Sequence, residues 1–220
     1  MRKILLIAIA SMTFVFSSCS SEESAILETE NPQLLKSFKV KKDALGKFYL
    51  DYDLTNDARV DKVYNPSTRS NQIFLYSSDK VTTKRLSDEF SLKDSQLKID
   101  FVDTNMDNSP SITITDDNIA LAKGTAEALT SYEIKSNEDG TYQLDFEVAN
   151  YVNVDFVYNS HNDVYEIHLQ QGKNNGIAFN KTFEKETGKP LKIYFVNHFN
   201  YSSKTESEAQ AKEKPKVIIQ

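Results

Sequence analysis

The stretch FYLDYDL, residues 48–54, alternates apolar and polar side chains, and a near copy, YQLDFEV, stands at residues 142–148. A period of two is typical of a β-strand that buries one face and exposes the other. We therefore expect the apolar positions to point inward; they are Phe48, Leu50, Tyr52 and Leu54 in the first stretch, and Tyr142, Leu144, Phe146 and Val148 in the second.

The likeness extends well beyond these seven residues. Residues 35–75 align with residues 129–169 at a constant separation of 94 positions, and 14 of the 41 aligned pairs are identical. The same separation aligns LKIDFV at 97–102 with LKIYFV at 191–196. A period of this length is too long for a solenoid unit and has the size of a small domain. The sequence therefore predicts two copies of one domain.

Each copy contains several short alternating stretches separated by turn-forming segments such as DALG and NPSTRS in the first and NEDG and NSHND in the second. This spacing favours an all-β protein built from two tandem immunoglobulin-like β-sandwich domains, with small β-barrels as the alternative. Repeat 1 is expected over residues 34–116. The linker and repeat 2 are expected over residues 117–220.

One hexapeptide is almost unchanged between the copies: VDKVYN at 60–65 and VDFVYN at 154–159. We interpret it as one strand and its exit turn. Asn65 and Asn159 should start the turns, because an Asn side chain bonds well to its own following backbone. The identical apolar residues are interpreted as interior packing: Val60, Val63 and Tyr64, with Val154, Val157 and Tyr158.

The N-terminal segment has the features of a processing signal. Arg2 and Lys3 precede an apolar run over 4–16, which is shorter than a membrane-spanning helix requires. FSSC at 16–19 then resembles the lipobox of bacterial lipoproteins. The resemblance implies a signal peptide over 1–18, a lipidated Cys19 and a polar tether over 19–33. It also implies an anchor in the outer membrane, at its periplasmic face or at the cell surface.

Composition excludes some classes of partner and bond. The net charge is −6, which does not provide the basic surface that nucleic-acid binding requires. Cys19 is the only cysteine, so an intrachain disulfide is excluded. The expected partners are the membrane, through the N-terminal lipid, and a protein or a glycan.

Carboxylates recur on the outward faces of the alternating strands. Asp51 with Asp53, and Asp145 with Glu147, each place two carboxylates on one side of a strand. Such a pair is compatible with a metal-dependent hydrolase. The alternative is a solvated face whose charges are opposed by lysines on neighbouring strands.

A calcium site is a further candidate. DTNMDN at 103–108 is similar to the start of a calcium-binding loop, in which Asp103, Asn105 and Asp107 would be the first ligands. The loop departs from that pattern at Asn108, where glycine is expected, and at Ile114, where a glutamate is expected. The alternative is a polar turn. No other cofactor is expected.

The three histidines lie apart in sequence and match different residue types in the first copy. His161, His168 and His198 align with Ser67, Phe74 and Thr104. No H-x-H or H-E-x-x-H spacing links them, so a zinc site would require the fold to bring them together.

The leading functional hypothesis is a lipid-anchored, non-enzymatic binding protein of the cell envelope. The chain has 13 Phe and 11 Tyr but no Trp, and most of these rings are needed for a core. Four tyrosines that the alternation places outward or in loops are the candidate binding residues: Tyr49, Tyr76, Tyr151 and Tyr201. The alternative functions are an accessory subunit of an outer-membrane assembly, docked by sheet-edge pairing, and the metal-dependent hydrolase.

Overall fold

A computed structural model describes residues 33–55, 58–78, 85–116, 128–173, 175–198 and 215–220. The predicted signal peptide, Cys19, Tyr201 and most of the tether and linker lie outside these residues. The described residues form β-strands, turns and loops, and they contain no helix that could span a membrane. The prediction of an all-β protein is confirmed.

The first copy contributes seven of the described strands. They are β1 (Leu35–Lys42), β2 (Phe48–Leu54), β3 (Ala58–Asn65), β4 (Ser70–Ser77), β5 (Arg85–Phe90), β6 (Gln96–Asp103) and β7 (Ser111–Thr115). The second copy contributes a matching set. These are β8 (Leu129–Ser136), β9 (Tyr142–Val148), β10 (Val152–Asn159), β11 (Val164–Gln171), β12 (Ala178–Phe183), β13 (Leu191–Asn197) and β14 (Lys216–Ile219).

Both sheets run through both copies. The six-stranded sheet has the order β12-β9-β8-β1-β2-β5, and the eight-stranded sheet has the order β10-β11-β13-β14-β7-β6-β4-β3. The copies meet where β1 pairs with β8 and where β7 pairs with β14, and both pairings are antiparallel. The sequence predicts two tandem sandwich domains, and in the structure these pairings join equivalent strands of the two copies into continuous sheets.

The alternating stretches bury the residues that the sequence predicts. Leu50 and Leu144 are completely buried, and the other inward positions of β2 and β9 are at most 8% exposed. The turn before each of these strands needs a backbone conformation that glycine readily adopts. Gly46 and Gly140 have φ angles of 78° and 82°, which explains why this residue is identical in the two copies.

Aromatic rings join the two sheets into one core. Phe38 of β1 lies 5.2 Å from Phe101 of β6, and the equivalent pair, Tyr132 of β8 and Phe195 of β13, lies at 5.8 Å. Rings also meet across the copies, because Phe48 contacts Tyr132 at 6.3 Å. One cluster of buried side chains therefore includes residues from both sheets and both copies.

One sequence interpretation is wrong in part: Val154 is buried and Val60 packs against the core, as expected, but the four other apolar residues of the hexapeptides are exposed. Val63, Tyr64, Val157 and Tyr158 do not pack in the interior; they are 51%, 38%, 43% and 52% exposed. The reason is the position of their strands, because β3 and β10 are the two outermost strands of the eight-stranded sheet. The turn predicted after each of these strands is present, with Asn65 Oδ1 accepting the Ser67 N–H and Asn159 Oδ1 accepting the His161 N–H.

Candidate functional site: the outer strands β3 and β10

The three predicted binding tyrosines within the described residues do not share a surface. Tyr49 lies between buried Phe48 and Leu50, so its side chain is on the outer face of the six-stranded sheet. Tyr76 is on the outer face of the eight-stranded sheet, where its ring is nearly parallel to that of Phe74 at 6.3 Å and 13°. Tyr151, in the turn before β10, packs against the core.

The predicted calcium ligand Asp103 is almost completely buried, with 3% of its surface exposed. Its Oδ2 accepts the backbone N–H of Leu34 at 2.6 Å and that of Leu35 at 3.3 Å, and its Oδ1 accepts the N–H of Asn105 at 3.0 Å. Asp107 is exposed. Asp103 thus connects the start of β1 to the end of β6. The calcium site stays a prediction, and the described residues contain no group of three or more His, Cys, Asp or Glu ligands.

The paired carboxylates of β2 line a cavity of about 270 Å³ on the outer face of the six-stranded sheet. Each carboxylate has a cation beside it, because Lys39 Nζ lies 3.6 Å from Asp51 and Arg85 Nε lies 2.9 Å from Asp53. The hydrogen bond from Arg85 lowers the pKa of Asp53. A general acid requires the opposite shift, so this arrangement fits a solvated ion-pair network better than a hydrolase site.

The second copy repeats this cavity around Asp145 and Glu147, with a volume of about 330 Å³. Here the Asp145 carboxylate accepts hydrogen bonds from the side-chain amides of Gln143 and Asn180. Asp61, the third repeated carboxylate of the first copy, is on β3 in the other sheet and pairs with Arg59. The carboxylates are therefore divided between two sheets.

The exposed Val–Tyr pairs of β3 and β10 lie at the two margins of the eight-stranded sheet, where the Val and the Tyr side chains point to opposite faces. Several of the 14 identical pairs are explained by burial, as for Leu50 and Leu144, or by a turn, as for Gly46, and others, such as Asp51 and Asp61, are polar. Val63 and Tyr64 have neither role, yet they recur as Val157 and Tyr158 at the equivalent outer strand. Exposed apolar side chains that lie together are a feature of many interaction surfaces.

The backbone of β10 shows which of its groups point away from the sheet. The Val154 N–H donates to Asn175 Oδ1 at 3.1 Å, and the Val154 C=O accepts from Asn175 Nδ2 at 2.8 Å. Because outward groups alternate along an antiparallel strand, those of Phe156 and Tyr158 also point away from β11. Within the described part of the chain no strand pairs with this side of β10, so its C-terminal half is an open edge.

Local contacts hold both exposed tyrosines in place. The Tyr158 hydroxyl donates to Asp163 Oδ1 at 2.7 Å, and its ring lies 4.9 Å from that of Tyr165. The Tyr64 ring has Lys93 Nζ 3.2 Å from its centre. A cleft of about 160 Å³ lies beside Tyr64, between β3, β4 and β5. Each tyrosine is therefore a positioned aromatic group at the margin of the sandwich.

The outer strands β3 and β10 contact the interior of the protein through different interactions. In the first copy Lys62 of β3 forms an ion pair with Asp88 of β5, across the two sheets. In the second copy Phe156, which replaces Lys62, lies 6.0 Å from Phe146 and 6.5 Å from Phe179. The Val–Tyr pair is kept although the neighbouring inward residue has changed from a cation to an aromatic ring.

Comparison of the chain with protein-family models, with curated proteins and with solved structures gives no significant match. The candidate site therefore depends on geometry and on the internal repeat. Sequence reasoning found the repeated hexapeptide but assigned its apolar residues to the interior, because packing is the simplest explanation of apolar positions that are repeated in two copies.

Proposed function

We propose that this chain is a lipid-anchored, non-enzymatic binding protein of the cell envelope that engages a protein partner through β3 and β10. The observation that carries the proposal is the exposed Val–Tyr pair, which occurs identically on both outer strands of the eight-stranded sheet. The lipid anchor at Cys19 and the outer-membrane location are supported by the lipobox-like FSSC segment and by the polar residues after it.

Strand addition is the mode of recognition that this geometry favours. An extended segment can bond to the outward N–H and C=O groups of an open strand, and alternate side chains then make the specific contacts. On β10 the outward groups of Phe156 and Tyr158 are available on the side away from β11, and the Val157 side chain is exposed between them. An extended protein segment supplies matching backbone groups, whereas a glycan does not.

The repeat supports an origin by duplication of one seven-stranded unit. Each copy places three strands in the smaller sheet and four in the larger one. We infer that each unit is immunoglobulin-like in its two-layer architecture. Its strand order differs from an all-antiparallel sandwich, because β4 pairs in parallel with β6 and β11 pairs in parallel with β13. Each unit therefore contains one exposed Val–Tyr pair on its outer strand.

Site-specific photo-crosslinking tests the proposed partner surface. A photoreactive amino acid is placed at position 63 or 157 of the full-length chain in its source cells, and crosslinked products are identified after membrane isolation. Position 45 is the matched control, because Leu45 is an exposed apolar residue, 84% exposed, in the turn between β1 and β2 of the six-stranded sheet. We expect one protein to crosslink at 63 and 157 and not at 45.

The double variant Val63→Lys/Val157→Lys is the second test of the proposed partner surface. Substitution of exposed residues should change the free energy of unfolding by no more than about 0.5 kcal/mol, so the variant should fold. We expect it to lose the partner, while Leu45→Lys retains it. Retention of the partner by the folded double variant, or equal crosslinking at position 45, would contradict the proposal. Recovery of the chain in a stable outer-membrane complex would favour the accessory-subunit form of the same function.

A glycan-binding surface is the second candidate. It is favoured by one observation, the nearly parallel and partly exposed rings of Phe74 and Tyr76 on the outer face of the eight-stranded sheet. Arg59 lies over the Tyr76 ring at 5.5 Å from its centre. A glycan array probed with the wild-type chain and with Tyr76→Ala tests this candidate, which requires wild-type binding that the variant loses.

A further inference from the structure

The fold brings together two of the three histidines. His168 is on β11, and His198 follows the end of β13, the strand that pairs in parallel with β11. His198 Nε2 lies 2.8 Å from His168 Nδ1, and the ring centres are 4.9 Å apart with an angle of 25° between the planes. His161 is in the turn between β10 and β11, where its backbone N–H donates to Asn159 Oδ1.

A carboxylate fixes the orientation of His168. Glu166, two residues earlier on the same face of β11, has its Oε2 2.9 Å from His168 Nε2. The other oxygen, Oε1, accepts a hydrogen bond from Asn159 Nδ2 at 2.8 Å. Because a carboxylate accepts hydrogen bonds, the proton of neutral His168 is on Nε2. The Nδ1 lone pair then faces His198 Nε2.

We propose that His168 Nδ1 and His198 Nε2 together bind one divalent transition-metal ion, with Glu166 as the positioning residue. Imidazole nitrogens suit Zn²⁺, Ni²⁺ and Cu²⁺. A carboxylate on the far nitrogen of a ligating histidine is the usual second contact in such sites, where it sets the tautomer and the ring orientation. The ion would take the place of the proton that the two nitrogens otherwise share.

The geometry requires a small rearrangement. Two nitrogens that each lie about 2.05 Å from a tetrahedral zinc ion are separated by about 3.3 Å. The two rings must therefore move apart by about half an ångström. His198 is exposed and lies directly after the end of β13. In this proposal water occupies the remaining coordination positions of the ion.

The first copy supplies an internal comparison. Gln72, Phe74 and Thr104 occupy the places of Glu166, His168 and His198. The shared framework therefore folds without any of the three side chains, and their substitution should leave it intact. This makes the cluster a property of the second copy alone, and the inference does not depend on the proposed partner at β3 and β10.

The test is calorimetric titration of the full-length chain, freed of metal by a chelator, with zinc chloride and with nickel chloride. We expect one saturable site per chain. His168→Phe, which introduces the residue of the first copy, and His198→Gln should each abolish it. Glu166→Gln should weaken it by about tenfold or more, as removal of such a positioning contact does elsewhere. His161→Ala is the matched control and should bind as the wild type does.

Each variant is first shown to melt as the wild type does without metal. A saturable site that survives in folded His168→Phe and His198→Gln would overturn the assignment. The absence of any saturable heat from the wild type would equally overturn it, and would leave the cluster as a hydrogen-bonded imidazole pair. The crosslinking at positions 63 and 157 has a separate readout, so failure of one proposal is distinguishable from failure of the other.

Discussion

Val40 of β1 is paired with Ile134 of β8, and Ile134 is the residue that occupies the same place in the second copy. In the other sheet Thr113 of β7 is paired with Ile218 of β14. These two are also equivalent, because Thr113 faces Lys98 and Ile218 faces Lys192, the matching lysine of β13. The two copies are thus related by an approximate twofold axis, which passes through one pair of equivalent residues in each sheet.

The shared core predicts that the two copies unfold together. Ile134 is fully buried at the junction, so Ile134→Ala should lower the free energy of unfolding by about 2–5 kcal/mol. Urea denaturation followed by circular dichroism and by tyrosine fluorescence should give one coincident transition for the wild type and for the variant. Two separate transitions would contradict a common core. Leu45→Ala, in an exposed turn, is the control and should change stability by no more than about 0.5 kcal/mol.

A buried ion pair makes a second prediction. Lys42 Nζ lies 2.9 Å from Asp116 Oδ2, and the two side chains are only 11% and 6% exposed. Either Lys42→Met or Asp116→Asn should cost about 3–5 kcal/mol of unfolding free energy, because the remaining group loses its buried partner. The loss of unfolding free energy in the double variant should be smaller than the sum of the losses in the two single variants. Additive effects in this double-mutant cycle would show that the pair is not coupled.

The hydroxyl of Tyr132 belongs to the same buried region. Burial, and after it the negative charge of Asp116, raises the pKa of Tyr132 well above that of a free tyrosine. Tyr132 should therefore stay protonated in the folded chain as the pH rises through the range in which exposed tyrosines ionise. Ultraviolet titration of the wild type and of Tyr132→Phe measures the ionisation of Tyr132. The prediction would be contradicted if as many tyrosines ionised near pH 10 in the folded wild type as in an unfolded sample.

Asp103 provides a test of the calcium prediction. Asp103→Ala removes the acceptor of three backbone N–H groups and should lower the free energy of unfolding by about 1–3 kcal/mol, with or without calcium. Asp107→Ala, at an exposed position, should be nearly neutral. If the loop binds calcium, millimolar calcium should raise the Tm of the wild type and not that of either variant. An unchanged wild-type Tm would reject the calcium site and leave the structural role of Asp103.

The Asp53–Arg85 pair predicts a pH dependence. The folded pKa of Asp53 is lowered, so its contribution to stability is present above the pKa of an unfolded aspartate and is lost as the pH falls through the folded value. Carboxyl chemical shifts in nuclear magnetic resonance should show Asp53 titrating below an ordinary aspartate. Arg85→Gln should move the pKa upward. A raised pKa in the wild type would instead reopen the general-acid interpretation of this cavity.

The alternation of the sequence predicted the strands best where both neighbours of a strand are present. Leu50 and Leu144 are buried as expected, since β2 and β9 each lie between two other strands. The assignment of Val63 and Val157 to the interior, which was based on their repetition, failed because the sequence does not show which strand is outermost in its sheet. His168 and His198 were likewise unrelated in sequence, and the parallel pairing of β11 with β13 brings them together.

The sequence by itself determined the β-strands, the turns and the duplication, because these depend on local alternation, on glycine and asparagine at fixed places, and on a constant separation of 94 residues. Tertiary structure alone decided that equivalent strands pair across the copies. Backbone hydrogen bonds between strands are almost independent of side-chain identity, so no local pattern specifies the neighbour. The same choice of neighbours left β3 and β10 at the outside, with their Val–Tyr pairs in solvent.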